Sequence, residues 1–447
     1  MPNSDLRARL QRLRPATRKT PPTAKPESDT QSAIQNTERE LTYEPLPQSV
    51  LPGQEHRTAH GAFQLIEEHY PLEHRHGHWP FSALLAQPAD VAARLARAPS
   101  LAEADLRQLA FIDTETTGLA GGAGTLAFLI GVGTFDTDAE HFILRQYFLR
   151  QPDEEQAALH TLLRDLAPRA GWVTFNGKAF DMPILEARLT INRQRSPFRQ
   201  RPHLDLLTPA RWLYRGRLES CALSHLEAHV LGVPRSDDDV PGELIPDMYL
   251  AYLRTGDARD MRRVIYHNAM DIFSMVTLAA HLMEVFATSV DDLEKQEARK
   301  HGKQADAKLG AADYVRLARW HEDEGRDAEA EAAYRQALAG KLTLEDRQTG
   351  LERLAGLLKR LGRRAEAVPL WEQLASFSLE DSLAYVELAK YYEWKAGDFA
   401  QAITWTERAL ALVKGWTPGW KKEEVLAALR HRLERLKEKQ KDADERG

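Results

Sequence analysis

Cysteine is almost absent: Cys221 is the only one in 447 residues. One thiol cannot close an intramolecular disulfide or furnish a cysteine-rich zinc site, so the fold must rest on its hydrophobic core. No unbroken apolar run is long enough to span a bilayer, and the N-terminal stretch lacks the apolar core of a secretory signal. Both absences point to a cytoplasmic protein with no membrane partner. Charge of one sign is not in large excess either: 60 Lys and Arg against 66 Asp and Glu leave a net charge of −6. Any nucleic-acid surface therefore has to be a local patch. Gly121, Gly122 and Gly124 form a glycine-rich stretch, but no Lys-Ser/Thr follows and the next segment reads as a strand, which excludes a P-loop and favours a hairpin connection.

What is present suits a soluble globular chain of two or three domains: 43% hydrophobic and 28% charged residues. Residues 1–58 read as a disordered tail, basic at first (Arg7, Arg9, Arg12, Arg14, Arg18, Lys19) and then proline-rich. Residues 59–105 read as an extension packed on the domain that follows. His74, His76 and His78 alternate there as on one strand face, which suggests either a metal role or a loop or lid over the site.

From 106 to 288 the pattern is a mixed α/β sheet with flanking helices. The apolar run Leu109 to Ile112 ends in Asp113-Thr114-Glu115, and alternation along a strand puts the two acids on one face. Two close carboxylates repel, and a hard divalent cation, Mg²⁺ or Mn²⁺, is the simplest remedy. Asp181 opens a helix after a second strand, Trp172 to Phe175. Asp271 lies on a late helix, one turn after His267. Four carboxylates from separate elements make a plausible two-ion site for a phosphodiester, with His267 as general base. Asp205, in a short strand near the site, reads either as structural, through capping, or as a support behind the ligands.

These motifs, Asp113-Thr114-Glu115-Thr116-Thr117-Gly118, Phe175-Asn176-Gly177-Lys178-Ala179-Phe180-Asp181 and His267-Asn268-Ala269-Met270-Asp271-Ile272, resemble those of the DnaQ-like exonucleases with four acidic residues, a branch of the ribonuclease H-like superfamily. Gly122 to Gly133, His203-Leu204-Asp205-Leu206-Leu207 and Val240 to Pro246 are similar to the YprB-type domain within it. The resemblance covers about residues 60 to 285. It implies a ribonuclease H-like fold and a metal-dependent 3′→5′ nuclease with Asp113, Glu115, Asp181 and Asp271 as ligands. The family's histidine subgroup places its base five residues before the last Asp and the tyrosine subgroup four. Here the slots are crossed, with Tyr266 five before and His267 four before; helical geometry favours His267, and Tyr266 is the runner-up.

Arg188, Arg193 and Arg195, followed by Arg199 and Arg201, suggest a track for the phosphates of single-stranded or frayed DNA or RNA. Thr116, Asn176 and Lys178, within the first two motifs, are further candidate contacts. After a charged linker, 289–309, the stretches Leu317-Ala318…Gly325…Ala328, Leu354-Ala355…Gly362…Ala365 and Leu388-Ala389…Gly397…Ala400 recur. That pattern over 310–440 fits tetratricopeptide-like helical repeats, which recruit a partner or substrate. The competing reading is a catalytically inactive ribonuclease H-like fold serving as a nucleic-acid-binding scaffold.

Overall fold

The computed structural model describes residues 51–118, 124–136, 141–234, 236, 239–299, 308–377 and 381–445. The expected tail up to residue 50 and the glycine-rich residues 119–123 lie outside these. The main sheet has the strands β1 (Gln54–Thr58), β2 (Gly61–Pro71), β5 (Leu109–Thr116), β6 (Ala127–Phe135), β7 (His141–Phe148), β8 (Gly171–Thr174) and β9 (His203–Asp205), and its order is β1-β2-β7-β6-β5-β8-β9. A separate ladder pairs β3 (Arg75–His76) with β4 (Trp79–Pro80). Neighbours are antiparallel except β5–β8 and β8–β9, which are parallel. Two expectations change here. The segment 54–58 is a strand, not tail, and the extension supplies a strand of the sheet: β2 pairs with β7 from Gln64↔Phe148 to Pro71↔His141. The sequence signal was weak because the outer half of β2 carries Glu67, Glu68 and His69 toward solvent.

Every residue of β6 is buried, as a central strand requires. On β5, Leu109 and Phe111 enter one hydrophobic layer while Ala110 and Ile112 enter the other. The long helix Arg259–Ala287 crosses between the layers: Met261, Val264 and Ile265 lie in the second, and Ile272 to Phe286 supply the first. This helix is apolar and long enough to cross a bilayer by length and composition, which a search for unbroken apolar runs overlooked, yet 83% of its most apolar window is buried inside the fold. Residues 223–231 form one helical turn, Leu223–Leu226, continued by a π turn, Glu227–Leu231, and closed by Gly232 at φ 69°. The wider turn leaves Glu227 buried, where Ser274 Oγ donates to it at 2.7 Å.

Beyond the helix Val290–Arg299, three pairs of helices follow: Ala311–Asp323 with Asp327–Ala339, Leu344–Arg360 with Arg364–Phe377, and Leu383–Tyr391 with Phe399–Lys414; Trp420–Asp444 comes last. Gly325, Gly362 and Gly397 stand at the turn of each pair with φ of 70°, 78° and 70°, a backbone that disfavours a side chain. The core runs without a break from the sheet into the first pairs. Trp320 packs edge-on against Phe286 at 4.6 Å, and Arg217 reaches the buried Asp313 at 2.7 Å.

His321, in the first of these helices, is 1% exposed, and neither ring nitrogen has a hydrogen-bond partner among the described residues. Burial holds its pKa down to about 4. The folded chain keeps His321 neutral while the unfolded chain protonates it below about 6.5. The stability it contributes is therefore complete above pH 6.5 and is lost as pH falls toward 4. Replacing it with leucine should spare about 2 kcal/mol at pH 5 relative to pH 7.5, read by urea unfolding at both values. Equal losses in the two proteins would show that His321 is not responsible.

Candidate active site

The register of three strands sets the first part of the site. Asp113 on β5 lies opposite Gly131 on β6, and Gly131 lies opposite Gln146 on β7. Asn268 of the long helix is laid over that glycine. Its Nδ2 donates to Asp113 Oδ2 at 2.7 Å, and its Oδ1 accepts from Gln146 Nε2 at 2.9 Å. Gln146 also donates to the carbonyl of Ile265 at 2.7 Å. A Cβ at Gly131 would sit 2.2 Å from Asn268 Oδ1, and one at Gly133 2.6 Å from Ile272. Two glycines on the central strand thus let the helix carrying His267 and Asp271 settle against the strand carrying the acids. Gly131→Ala should lift the helix locally, costing about 1–3 kcal/mol and moving His267 relative to β5, a displacement that costs activity as well as stability. Unfolding curves and initial rates measured together check this; an unaltered rate would separate the helix seat from the site.

The four acids face one another. The Asp113 carboxyl is held well above the usual range by burial, then by the charges of Asp181 and Asp271. Glu115 is raised by burial and by Asp113, Asp271 and Asp181. Burial pushes Asp181 to about 6, against the pull of a 2.6 Å hydrogen bond from Thr114 Oγ1. A shift in the strand register between Glu115 and Thr116 re-aims the end of β5. His267, 6% exposed, turns Nε2 toward Glu115 Oε1 at 3.9 Å and Asp271 Oδ2 at 3.6 Å. Its Nδ1 stands 2.7 Å from Asp239 Oδ1. Tyr266, the neighbouring candidate, is 38% exposed.

No three of these side chains already surround a single point in ligating geometry among the described residues. The donor set nonetheless suits a hard divalent cation. It is all carboxylate oxygen, and Asp113 and Glu115 are each destabilised by neighbouring acids of the set in a way that bound positive charge would relieve.

A cleft of about 160 Å³ opens beside Glu115 and Asp181, bounded by Phe180, Ile184, Gly242 and Pro246. Phe180, at the entrance to the Asp181 helix, is 49% exposed. The turn before that helix is held from below by Asp205. Its Oδ1 accepts from the backbone N–H of Asn176 at 2.8 Å and of Leu207 at 3.1 Å, and its Oδ2 from that of Lys178 at 3.0 Å. Asn176 sits at φ 64°, which asparagine tolerates better than most residues. The Lys178 side chain is exposed, and Thr116 Oγ1 is turned to the carbonyl of Gly118 at 2.8 Å.

The arginine track is only partly available. Arg188 is committed to Glu155 through two bonds of 2.5 and 2.6 Å, and Arg199 grips Glu186. Arg201 donates to carbonyls at the end of the helix Glu155–Leu166. Arg188 therefore braces two helices instead of lying open to phosphate, while Arg193 and Arg195 are exposed. The three histidines of 74–78 disperse. His74 packs edge-on or tilted against Tyr70, Phe81 and Phe273, His76 Nε2 meets Ser274 Oγ at 2.7 Å, and the His78 backbone donates to Leu231. His74 and His76 thus pack the extension onto the long helix, and His78 ties it to the π turn.

Sequence reasoning passed over Asp239, Asn268, Gln146 and Thr114 as parts of the site. Asp239 had a detectable signal, since it directly precedes the Val240 to Pro246 stretch. Gln146 had none, because only strand register brings it under Asn268.

A profile of the RNase H superfamily matches residues 110–283. The chain is also 31% identical over 353 residues to the uncharacterized protein YprB of Bacillus subtilis (strain 168), an alignment covering 77% of this chain and 79% of that protein.

Proposed function

We propose, given that this chain belongs to the YprB family within the RNase H superfamily, that it is a divalent-metal-dependent 3′→5′ exonuclease of the four-acid type acting on single-stranded or frayed nucleic acid. The observation that carries the reading is the posture of His267: Nδ1 tethered to Asp239 and Nε2 presented between Glu115 and Asp271. Asp113, Glu115, Asp181 and Asp271 would hold Mg²⁺ or Mn²⁺, two ions in the full assembly. The bound ions supply Lewis-acid neutralisation of the scissile phosphodiester. His267 takes a proton from the attacking water through Nε2, and Asp239 fixes the ring so that Nδ1 stays a donor. Phe180 offers an exposed face for a terminal base, and Lys178 a charge for its phosphate. The helical pairs, read as tetratricopeptide-like repeats, add a surface for substrate or partner.

End-labelled DNA and RNA oligonucleotides, incubated side by side with Mn²⁺, should shorten stepwise from the 3′ end. The activity should vanish in Asp113→Ala and Asp271→Asn. Cleavage that survives both substitutions would place the chemistry elsewhere. Absence of cleavage of any strand, together with absence of metal binding, would favour the scaffold reading.

A further inference from the structure

The helix Leu207–Tyr214 begins directly after Asp205, at the same end of the sheet as the acids, because β5, β8 and β9 run parallel. Its side chains Thr208, Arg211 and Trp212, with Arg215 just beyond its end, line a cleft whose other wall is Arg316 and Arg319 of the first helix of the helical region. The cleft has a volume of about 530 Å³, and among the described residues none that lines it is acidic. Arg211, Arg215 and Arg319 are exposed. Arg316 is partly held: Nη1 donates to the carbonyl of Ala312 at 2.8 Å, and Nη2 lies 3.8 Å from Asp346. Gly216 closes the near end at φ 105°, where a Cβ would stand 2.5 Å from Arg316 Nη2. The walls are fixed to each other by the Arg217–Asp313 ion pair, with the Arg217 guanidinium over the Tyr214 ring at 5.0 Å. Four arginines, one half-buried tryptophan and a rigid seam make a site for a chain of phosphates with bases alongside. In a protein of net charge −6, such a concentration of guanidinium is not a by-product of composition.

We propose that this cleft is a second nucleic-acid subsite, through which the single strand is led from the carboxylates across the helical region. The inference rests on the nuclease reading and extends it: substrate length, not base identity, should set affinity, and the helical region is part of the substrate path.

The test uses the full chain carrying Arg211→Glu, Arg215→Glu and Arg319→Glu. Binding of a fluorescein-labelled oligo(dT) 20-mer is followed by anisotropy in EDTA, and hydrolysis of the p-nitrophenyl ester of thymidine 5′-monophosphate with Mn²⁺ reports the carboxylate site alone. The triple variant should bind the 20-mer at least tenfold more weakly and show a salt dependence shallower by about two, from about 0.7 per lost phosphate contact. Its ester hydrolysis should equal that of the unmodified chain. Unchanged 20-mer affinity with ester hydrolysis intact would overturn the cleft and leave the nuclease reading standing. Arginine-dependent binding without ester hydrolysis in either protein would keep the cleft and remove the nuclease reading. Poly-L-glutamate competing as well as unlabelled oligonucleotide, at equal charge, would assign the cleft to acidic protein and overturn the proposal.

Discussion

Asp113→Asn should make the metal-free protein more stable while ending its activity. The Asp113 carboxyl is buried and shares its surroundings with the charges of Asp181 and Asp271, and both effects oppose ionisation. At neutral pH the cluster is therefore a liability to the fold. The sign follows from the direction of the shifts. A carboxyl whose folded pKa lies above its unfolded value favours folding at low pH, and that contribution is lost as pH rises from about 3.8 through the raised value, which for Asp181 is about 6. An amide at 113 removes one of the charges and can still accept from Asn268. In EDTA at pH 7.5 the variant should gain about 1–2 kcal/mol, or on the order of 2–5 °C in Tm. Added Mn²⁺ should raise the Tm of the unmodified chain through linkage and leave the variant nearly unmoved. Activity should fall by at least about 100-fold, since removing even an outer partner of a ligand costs 10–100-fold. A variant less stable than its parent in EDTA, yet still stabilised by Mn²⁺, would mean that Asp113 is a packing residue and the cation binds elsewhere.

The parts of this site that could be read in the sequence are those whose geometry is local. Asp113 and Glu115 share a strand, and His267 and Asp271 share a helical turn, so spacing alone placed each pair. The parts that could not be read depend on register and packing. Gly131 and Gly133 looked like ordinary strand residues until Asn268 and Ile272 were seen resting on them. Gln146 meets Asn268 only because β5, β6 and β7 align in one row. Arg188 looked like a substrate contact because charge counts do not reveal Glu155, more than thirty residues earlier and facing it in the fold. The two strands at one edge of the sheet were missed for a related reason: β1 and the end of β2 are half solvated, so their composition resembles a loop. The basic cleft was invisible because its arginines come from segments about a hundred residues apart.

His267→Ala should lower the rate of oligonucleotide cleavage by about 10²–10⁴-fold, the range spanned by loss of a general base. Asp239→Asn should cost less, about 10-fold, because it leaves the imidazole in place and removes only what orients it. The distinguishing measurement is the double substitution. Asp239 stands 2.7 Å from Nδ1, while the face that meets the acids is Nε2, 3.6 Å from Asp271. If Asp239 acts through the ring, removing the ring removes its influence, and Asp239→Asn in the His267→Ala background should change the rate by less than about twofold. Asp239 also raises the Glu115 carboxyl through its charge, though less than the other three acids do. A residual effect of the amide in the double variant measures that second route. Full additivity would mean that Asp239 works on the acids and not on the imidazole. Replacement of Tyr266 by phenylalanine should leave the rate unchanged if the ring of His267 is the proton acceptor. A KM that stays constant across the set while kcat falls would place the whole effect in the chemical step.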